Sequence, residues 1–245
     1  MDKLIYTAMS GANRSMLSQQ VHANNLANVN TTGFRADYER AHSYAVGGDG
    51  FSTRHIAVPM GVGSKFSPGV LEHTGNELDV GIRGEGLLAV QVNGQERYTR
   101  AGSMHIDEQG ILMLGQFPVL DMDGQQIEIP DYRSISITEQ GRVSVVPDSG
   151  GEVLLEVATL KRVKPETANL VKDAEGFFRP RTAAASLPAD DTVAVASGFL
   201  EASNVNPVEE MVAILTTSRQ FELQVKMMKT AEELSQASTR LIRPA

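Results

Sequence analysis

Apolar residues recur at steps of three and four at both ends of the 245-residue chain, and this pattern constrains the fold more than any other. Near the start the stripe runs Ile5, Met9, Ala12 and Met16, then polar Gln19, then Ala23 and Leu26. Such spacing returns side chains to one face of an α-helix and predicts a helix over 3–28, about 39 Å long at 1.5 Å per residue. It is expected to stop in Asn30-Thr31-Thr32-Gly33, where Gly33 can adopt a positive φ. Toward the other end come Met211, Ile214, Ser218, Phe221, Val225 and Met228, and after a one-residue slip Ala231, Leu234 and Leu241. Asn206 is placed to cap this second helix, Pro207 suits its first position, and Glu209 completes a capping-box pattern. No Pro or Gly interrupts residues 208–242, which predicts a helix of roughly 55 Å.

A helix with one narrow apolar stripe cannot bury that stripe alone in water. The two must pack on each other, on another domain, or on other copies of the chain. Spacing by itself fits a pair of core helices in one globular domain as well as it fits an assembly surface.

Between the helices the period changes. Residues 87–163 hold short β-type runs separated by turn signals: Val90 and Val92 precede Asn93-Gly94, Ile111–Leu114 follow Asp107–Gly110, and Ile127 and Ile129 follow Asp123-Gly124. Ile135 and Ile137, Val143 and Val145, and Val153, Leu155 and Val157 extend the series. No helical segment separates these runs, so an antiparallel meander or barrel-like sheet is expected and a βαβ fold is not. Residues 41–76 form a Gly-rich, weakly periodic stretch, and Thr182–Ser197 looks like a loop. The expected class is α+β, with long N- and C-terminal helices forming a coiled-coil-like domain and a mainly antiparallel β central domain. Residues 1–30 and 200–245 would make the helical assembly domain, 31–76 an extended connector, and 77–199 the β-rich domain.

Composition closes several routes to chemistry. The chain has 22 Lys and Arg against 30 Asp and Glu, a net charge of -8, and its basic residues do not cluster, so neither nucleic acid nor an anionic membrane surface is an expected partner. It has no Cys, which removes disulfides, a thiolate nucleophile and Cys-based metal sites. His22, His42, His55, His73 and His105 lie outside the short spacing that metal-binding pairs use. Asp121-Met122-Asp123-Gly124 resembles part of a calcium loop, but the bidentate Glu position falls on Pro130, so a hairpin turn explains it better. Gly61-Val62-Gly63-Ser64-Lys65 lacks a phosphate-loop ending, and Gly81, Gly84 and Gly86 have the wrong spacing for a dinucleotide site. A spatial pair of carboxylates could still make a hydrolase, the one enzymatic alternative left, although the absence of Trp and the few other aromatic residues supply little for a sugar-stacking cleft. No catalytic, metal-binding or cofactor-binding residue, no cofactor and no small-molecule substrate is expected. The opening residues are too polar for a signal-peptide core, and no apolar run is long enough to span a bilayer.

Three segments resemble the axial proteins of the bacterial flagellum, the family of rod and hook subunits. The first is Asn24-Asn25-Leu26-Ala27-Asn28-Val29-Asn30-Thr31-Thr32-Gly33-Phe34-Arg35; the second runs from Glu77 to Gly86 and on to Tyr98-Thr99-Arg100-Ala101-Gly102-Ser103. The third is Gly198-Phe199-Leu200-Glu201-Ala202-Ser203-Asn204-Val205-Asn206-Pro207 with its continuation to Glu222. Leu87-Leu88 and Met104 stand where the family commonly has Phe, and as apolar replacements they are expected in the core. The resemblance implies a structural rod subunit, with the proximal rod suggested by the opening residues and modest length and the distal rod the nearest rival. It implies export through the flagellar type III apparatus without a cleaved signal, residence in the periplasmic part of the basal body, and neighbours that are copies of the chain and other rod proteins. The motif residues it marks are Asn25, Asn28, Gly33, Phe34, Glu201, Ser203, Asn204 and Asn206. The candidate assembly interface is Ile5, Met9, Ala12, Met16, Leu26, Met211, Ile214, Phe221, Val225 and Met228.

Overall fold

The computed structural model describes residues 2–47, 55–148, 153–166, 169–182 and 186–242. Two compact units share the chain: Met1–Val29, Asp37–Lys65 and Val205–Ala245 form the first, and Asn30–Ala36 with Phe66–Asn204 form the second. The elements begin with α1 (Asp2–Ala27), β1 (Asp37–Ala45), β2 (His55–Ser64), β3 (Leu71–His73), β4 (Val80–Arg83), β5 (Leu87–Val92) and β6 (Gln95–Thr99). Next come β7 (Met104–Ile106), β8 (Leu112–Leu114), β9 (Phe117–Pro118), β10 (Tyr132–Ile137), β11 (Arg142–Pro147) and β12 (Leu155–Thr159). The series closes with β13 (Arg162–Val163), β14 (Leu170–Lys172), β15 (Phe178–Pro180), β16 (Ala194–Ser197), β17 (Phe199–Glu201) and α2 (Pro207–Ile242). Two helices around a mainly antiparallel β region make the α+β class that the change of period implies.

In the first unit α1 and α2 run antiparallel: His22 and Asn25 meet Glu210, whereas a Cβ at Gly11 would come within 2.8 Å of the Gln224 amide. On α2, Ala213 and Ser218 are half-buried beside an inward face made of Glu210, Ile214, Thr217, Phe221, Gln224, Met228, Ala231, Ser235 and Ser238. Their steps alternate four and three without interruption, so the slip read from the apolar residues alone is absent. Polar Thr217, Gln224 and Ser235 occupy positions that a hydrophobic count skips. The side chain of Leu241 lies outside the described residues. On α1 the buried positions are Ala8, Ala12, Ser15, Val21 and Asn25, a face rotated from the Ile5-Met9-Met16 stripe. The rotation has a physical cause. Small side chains let two helices approach closely, and α1 also lies against β1 and β2.

Those two strands pair along their whole length, from Asp37↔Ser64 to Ala45↔His55, with one irregularity at Arg40/Ala41. The stretch expected as an extended connector therefore contains a β-ribbon, of which residues 48–54 lie outside the described part. Asn206 Oδ1 caps α2 by accepting from the Val208 N–H at 3.1 Å, and Pro207 takes the first helical position. Glu209 is exposed, and it is Glu210 that turns inward.

Among the described residues, the second unit is built mainly of strands. Its five-stranded sheet has the order β13-β5-β6-β15-β14; β10-β11-β12 and β7-β8-β9 form three-stranded sheets, and β16 pairs with β4 and β17 with β3. Each of these pairings is antiparallel. The run Leu87-Leu88-Ala89-Val90 is continuous in apolar residues because β5 is covered on both faces. Leu88, Val90 and Val92 join the main core with Ile82, Leu112 and Leu160, and Leu87 and Ala89 join a second cluster around Tyr98 and Phe178. Leu87, Leu88 and Met104 are all buried, as apolar stand-ins at core positions should be. Thr182–Ser197, expected as a loop, ends in strand β16, paired with β4 from Ala194↔Arg83 to Ser197↔Val80. Its short Ala/Val composition conceals that pairing.

Candidate assembly site

The large apolar residues of the helical unit sit mostly outside it. Of the residues singled out from the stripes, Met9, Met16, Met211 and Val225 are exposed, at 46%, 48%, 51% and 41%. Ile5, Leu26, Ile214, Phe221 and Met228 are half-buried, and Ala12 is buried. Leu4, Tyr6, Val208, Val212, Leu215, Leu223, Met227 and Leu234 are exposed as well. The seam between the helices thus mixes Ala, Ser, Thr and Gln with half-buried Ile214, Phe221 and Met228, while most of the other bulky side chains are turned outward. Each exposed Met, Leu or Val that became covered would contribute about 1.5–3 kcal/mol. Among the described residues, no helix is long and apolar enough to cross a membrane.

One end of the helix pair is fixed by polar groups. Asn25 is buried, donates through Nδ2 to the Asp37 carbonyl at 2.8 Å and to Glu210 Oε1 at 3.1 Å, and accepts the Asp37 N–H at 2.8 Å. It pairs with the Asp37 backbone as a neighbouring strand would, so the start of β1 is registered on α1. Glu210 takes His22 Nδ1 on its other oxygen at 2.5 Å. Asn28 closes the end of α1, its Nδ2 donating to the Asn24 carbonyl at 2.9 Å.

Apart from Asn206, which caps α2, the remaining motif residues fall in the strand unit. Gly33 has φ +70, as expected, but it does not cap α1, which ends six residues earlier. A Cβ there would lie 2.3 Å from the Ala101 nitrogen, so both the dihedral and the close approach require Gly. The Gly33 N–H donates to the Glu201 carbonyl at 2.7 Å. Phe34 lies under Lys172 Nζ, 3.9 Å from its ring centroid. Glu201 is buried between two buried arginines: Arg35 Nη2 is 2.7 Å from Oε1 and Arg100 Nε is 2.8 Å from Oε2. The second approach is an ion pair without hydrogen-bond alignment. Arg100 donates its other nitrogens to the carbonyls of Gly86 at 2.8 Å and Gly84 at 2.7 Å, and the Gly69 N–H donates to Glu201 Oε1 at 2.6 Å. Burial pulls Arg100 below the ordinary guanidinium value; Glu201 pushes it back up and Arg35 lowers it again. Removing the one carboxylate would leave two buried cations facing each other, a loss on the order of 3–5 kcal/mol. Ser203 is half-buried, and Asn204 accepts the Ala36 N–H through Oδ1 at 2.7 Å and donates through Nδ2 to the Ser67 carbonyl at 2.9 Å.

From sequence, Arg35, Arg100 and Glu210 stand inside motifs without assigned roles, and His22 is weighed only as a metal ligand. A buried charged residue looks like a surface one in sequence unless its partner is known, and these partners are separated by 101 to 188 positions. A hint was available for Arg100, which sits in Thr99-Arg100-Ala101-Gly102 with uncharged neighbours on either side.

Three family models match this chain. "Flagella basal body rod protein" covers residues 5–35, "Flagellar hook protein FlgE/F/G D1 domain" covers 81–145, and "Flagellar basal body rod FlgEFG protein C-terminal" covers 196–241. The chain is similar to the flagellar basal-body rod protein FlgF of Salmonella typhimurium, 35% identical with 95% of each chain covered. It is 34% identical to FlgF of Escherichia coli over 99% of each chain. It is also 31% identical to the flagellar basal-body rod protein FlgG of Bacillus subtilis over 98% of each.

Proposed function

The chain belongs to the flagellar basal-body rod protein family, and on that premise we propose that it is a structural subunit that polymerises along the rod axis and passes motor torque toward the hook. The observation that carries this reading is the outward placement of Met9, Met16, Met211, Val212 and Leu215, which the pairing of the two helices leaves uncovered. A helix pair arranged this way stays apolar outside until other copies cover it. The terminal helices then form a coiled-coil-like assembly domain, and Ile5, Met9, Ala12, Met16, Leu26, Met211, Ile214, Phe221, Val225 and Met228 contribute to the polymer contacts or to the seam behind them. The strand unit, closed around its own core, supplies bulk.

Its neighbours are copies of itself and other rod proteins, reached after passage through the flagellar export apparatus without a cleaved signal, in the periplasmic part of the basal body. The two FlgF relatives favour the proximal rod, while the FlgG relative, matching over the same span, keeps a distal-rod position as the second reading. The function of a shaft requires no catalysis, and the relatives give the hydrolase alternative no support. Deleting the gene and isolating basal bodies tests the proposal. Non-motile cells whose rods stop short of the hook are expected; complete, rotating hooks in the deletion strain would overturn it.

A further inference from the structure

We propose that Glu201 and Asn204 form a clamp that carries torque out of the strand unit by holding together every stretch of chain that leaves it. The inference rests on the rod function proposed above. The chain enters or leaves the strand unit at positions 29/30, 36/37, 65/66 and 204/205, so the covalent path runs through the stretch 30–36, the stretch beginning at 66 and the stretch ending at 204. The side chain of Asn204 touches the other two: it accepts the Ala36 N–H at 2.7 Å and donates to the Ser67 carbonyl at 2.9 Å. Three residues earlier Glu201 repeats the arrangement deeper in the unit. It holds Arg35 at 2.7 Å, the Gly69 N–H at 2.6 Å and, through its carbonyl, the Gly33 N–H at 2.7 Å. Arg100 joins the carboxylate to the β4–β5 turn through Gly84 and Gly86, which ties the crossings to the sheet.

A buried ion cluster adds little stability over a well-packed apolar one of the same volume, so stability alone is a poor account of it. What it provides is direction. Apolar contacts slide under shear, whereas hydrogen bonds and ion pairs to fixed buried groups weaken steeply when the angle or distance changes. Cross-linking the crossings in this way makes the strand unit answer a twist as one body.

The test expresses the unaltered chain and variants in a strain lacking the native gene and measures bead rotation on single flagella at low and high viscous load. Asn204→Ala removes a half-buried amide and leaves the buried ion cluster in place. It should give normal numbers of flagella and unchanged rotation at low load, with rods that fail under high load about tenfold sooner, as loss of the two Asn204 hydrogen bonds would give. The triple variant Arg35→Met, Glu201→Leu, Arg100→Met replaces the ion cluster with apolar volume. It should recover the melting temperature lost in Glu201→Gln without recovering endurance under load. Endurance equal to the unaltered chain in Asn204→Ala, or full recovery in the triple variant, overturns the clamp. Failure of the unaltered chain to restore any rod would instead overturn the function on which the clamp rests.

Discussion

In the strand unit, Leu88, Val90, Leu112 and Leu160 have no exposed surface, and alternate residues of β5 feed two separate cores. In the helical unit, residues of the same size point the other way: Leu215 is 62% exposed, while Ala12 and Ser15 fill the seam. One chain thus applies the hydrophobic rule in two senses. The strand unit buries most of its large apolar residues, with Val70, Val153 and Leu154 among the exposed exceptions, whereas the helical unit leaves most of its own outside, and its internal fit combines small side chains with half-buried Ile214, Phe221 and Met228 and the Asn25-Glu210-His22 cluster. Length and periodicity alone would not separate these cases; the placement of bulk against the seam does.

Phe221→Asp should break the comparison most severely. It lies in the seam of α2, where losing an aromatic contact of about 1.5–3 kcal/mol and adding a carboxylate recurs at every copy in a polymer. Rod growth should stop while the melting of the strand unit is unchanged, and Glu222→Ala on the exposed side should be mild. Collapse of the strand unit in the first variant, seen by calorimetry, would show that the two units share one core. Leu88→Ala should be the mirror image: a cavity costing about 2–5 kcal/mol in the strand unit, read from chemical denaturation, against less than about 0.5 kcal/mol for Leu215→Ala in the same assay. Asn25→Ala should remove the acceptor of the Asp37 N–H and the donor to Glu210, cost about 1–3 kcal/mol, and speed hydrogen exchange at that amide and along β1 without affecting the strand unit.

The smallest effect is alkaline. Burial raises the Tyr98 hydroxyl above its ordinary value; its donation to Glu96 Oε1 at 2.8 Å raises it further, and the Leu187 N–H, donating to it at 2.7 Å, works against both. A folded-state value above the unfolded one of about 10 means that the neutral hydroxyl contributes fully below that pH and loses its contribution as pH rises beyond it. The stability difference between the unaltered chain and Tyr98→Phe should therefore shrink between about pH 9 and pH 12 in urea titrations. A difference that does not change with pH would show that the ring, and not its proton, accounts for the packing there.

Much of this architecture could be read from the residues. Pro207 and Asn206 placed the start of α2 because a cap and a residue without an N–H belong there, and Asn93-Gly94 placed a hairpin because both take positive φ. The register of the helix seam could not be read, since buried Ser15 and half-buried Thr217 and Gln224 are turned inward by fit and not by hydrophobicity. Strand β16 was missed because four residues carry too little pattern to outweigh a loop-like neighbourhood. The Glu201 cluster was marked only by a motif. Its chemistry depends on Arg35 and Arg100 arriving from remote parts of the chain, which spacing does not encode.

Because the chain contains no Cys, a single introduced thiol reports one position without interference. The direct test of the outward apolar surface is the rate at which maleimide labels Leu215→Cys in the purified subunit and in isolated basal bodies, with basal bodies dissociated in denaturant as the reference. The account predicts rapid labelling of the free subunit, strong protection in the assembled rod, and full recovery on dissociation. Equal labelling of free and assembled protein would contradict it, because the bulky residues on the helices would then remain in water after assembly and could not be what holds the copies together.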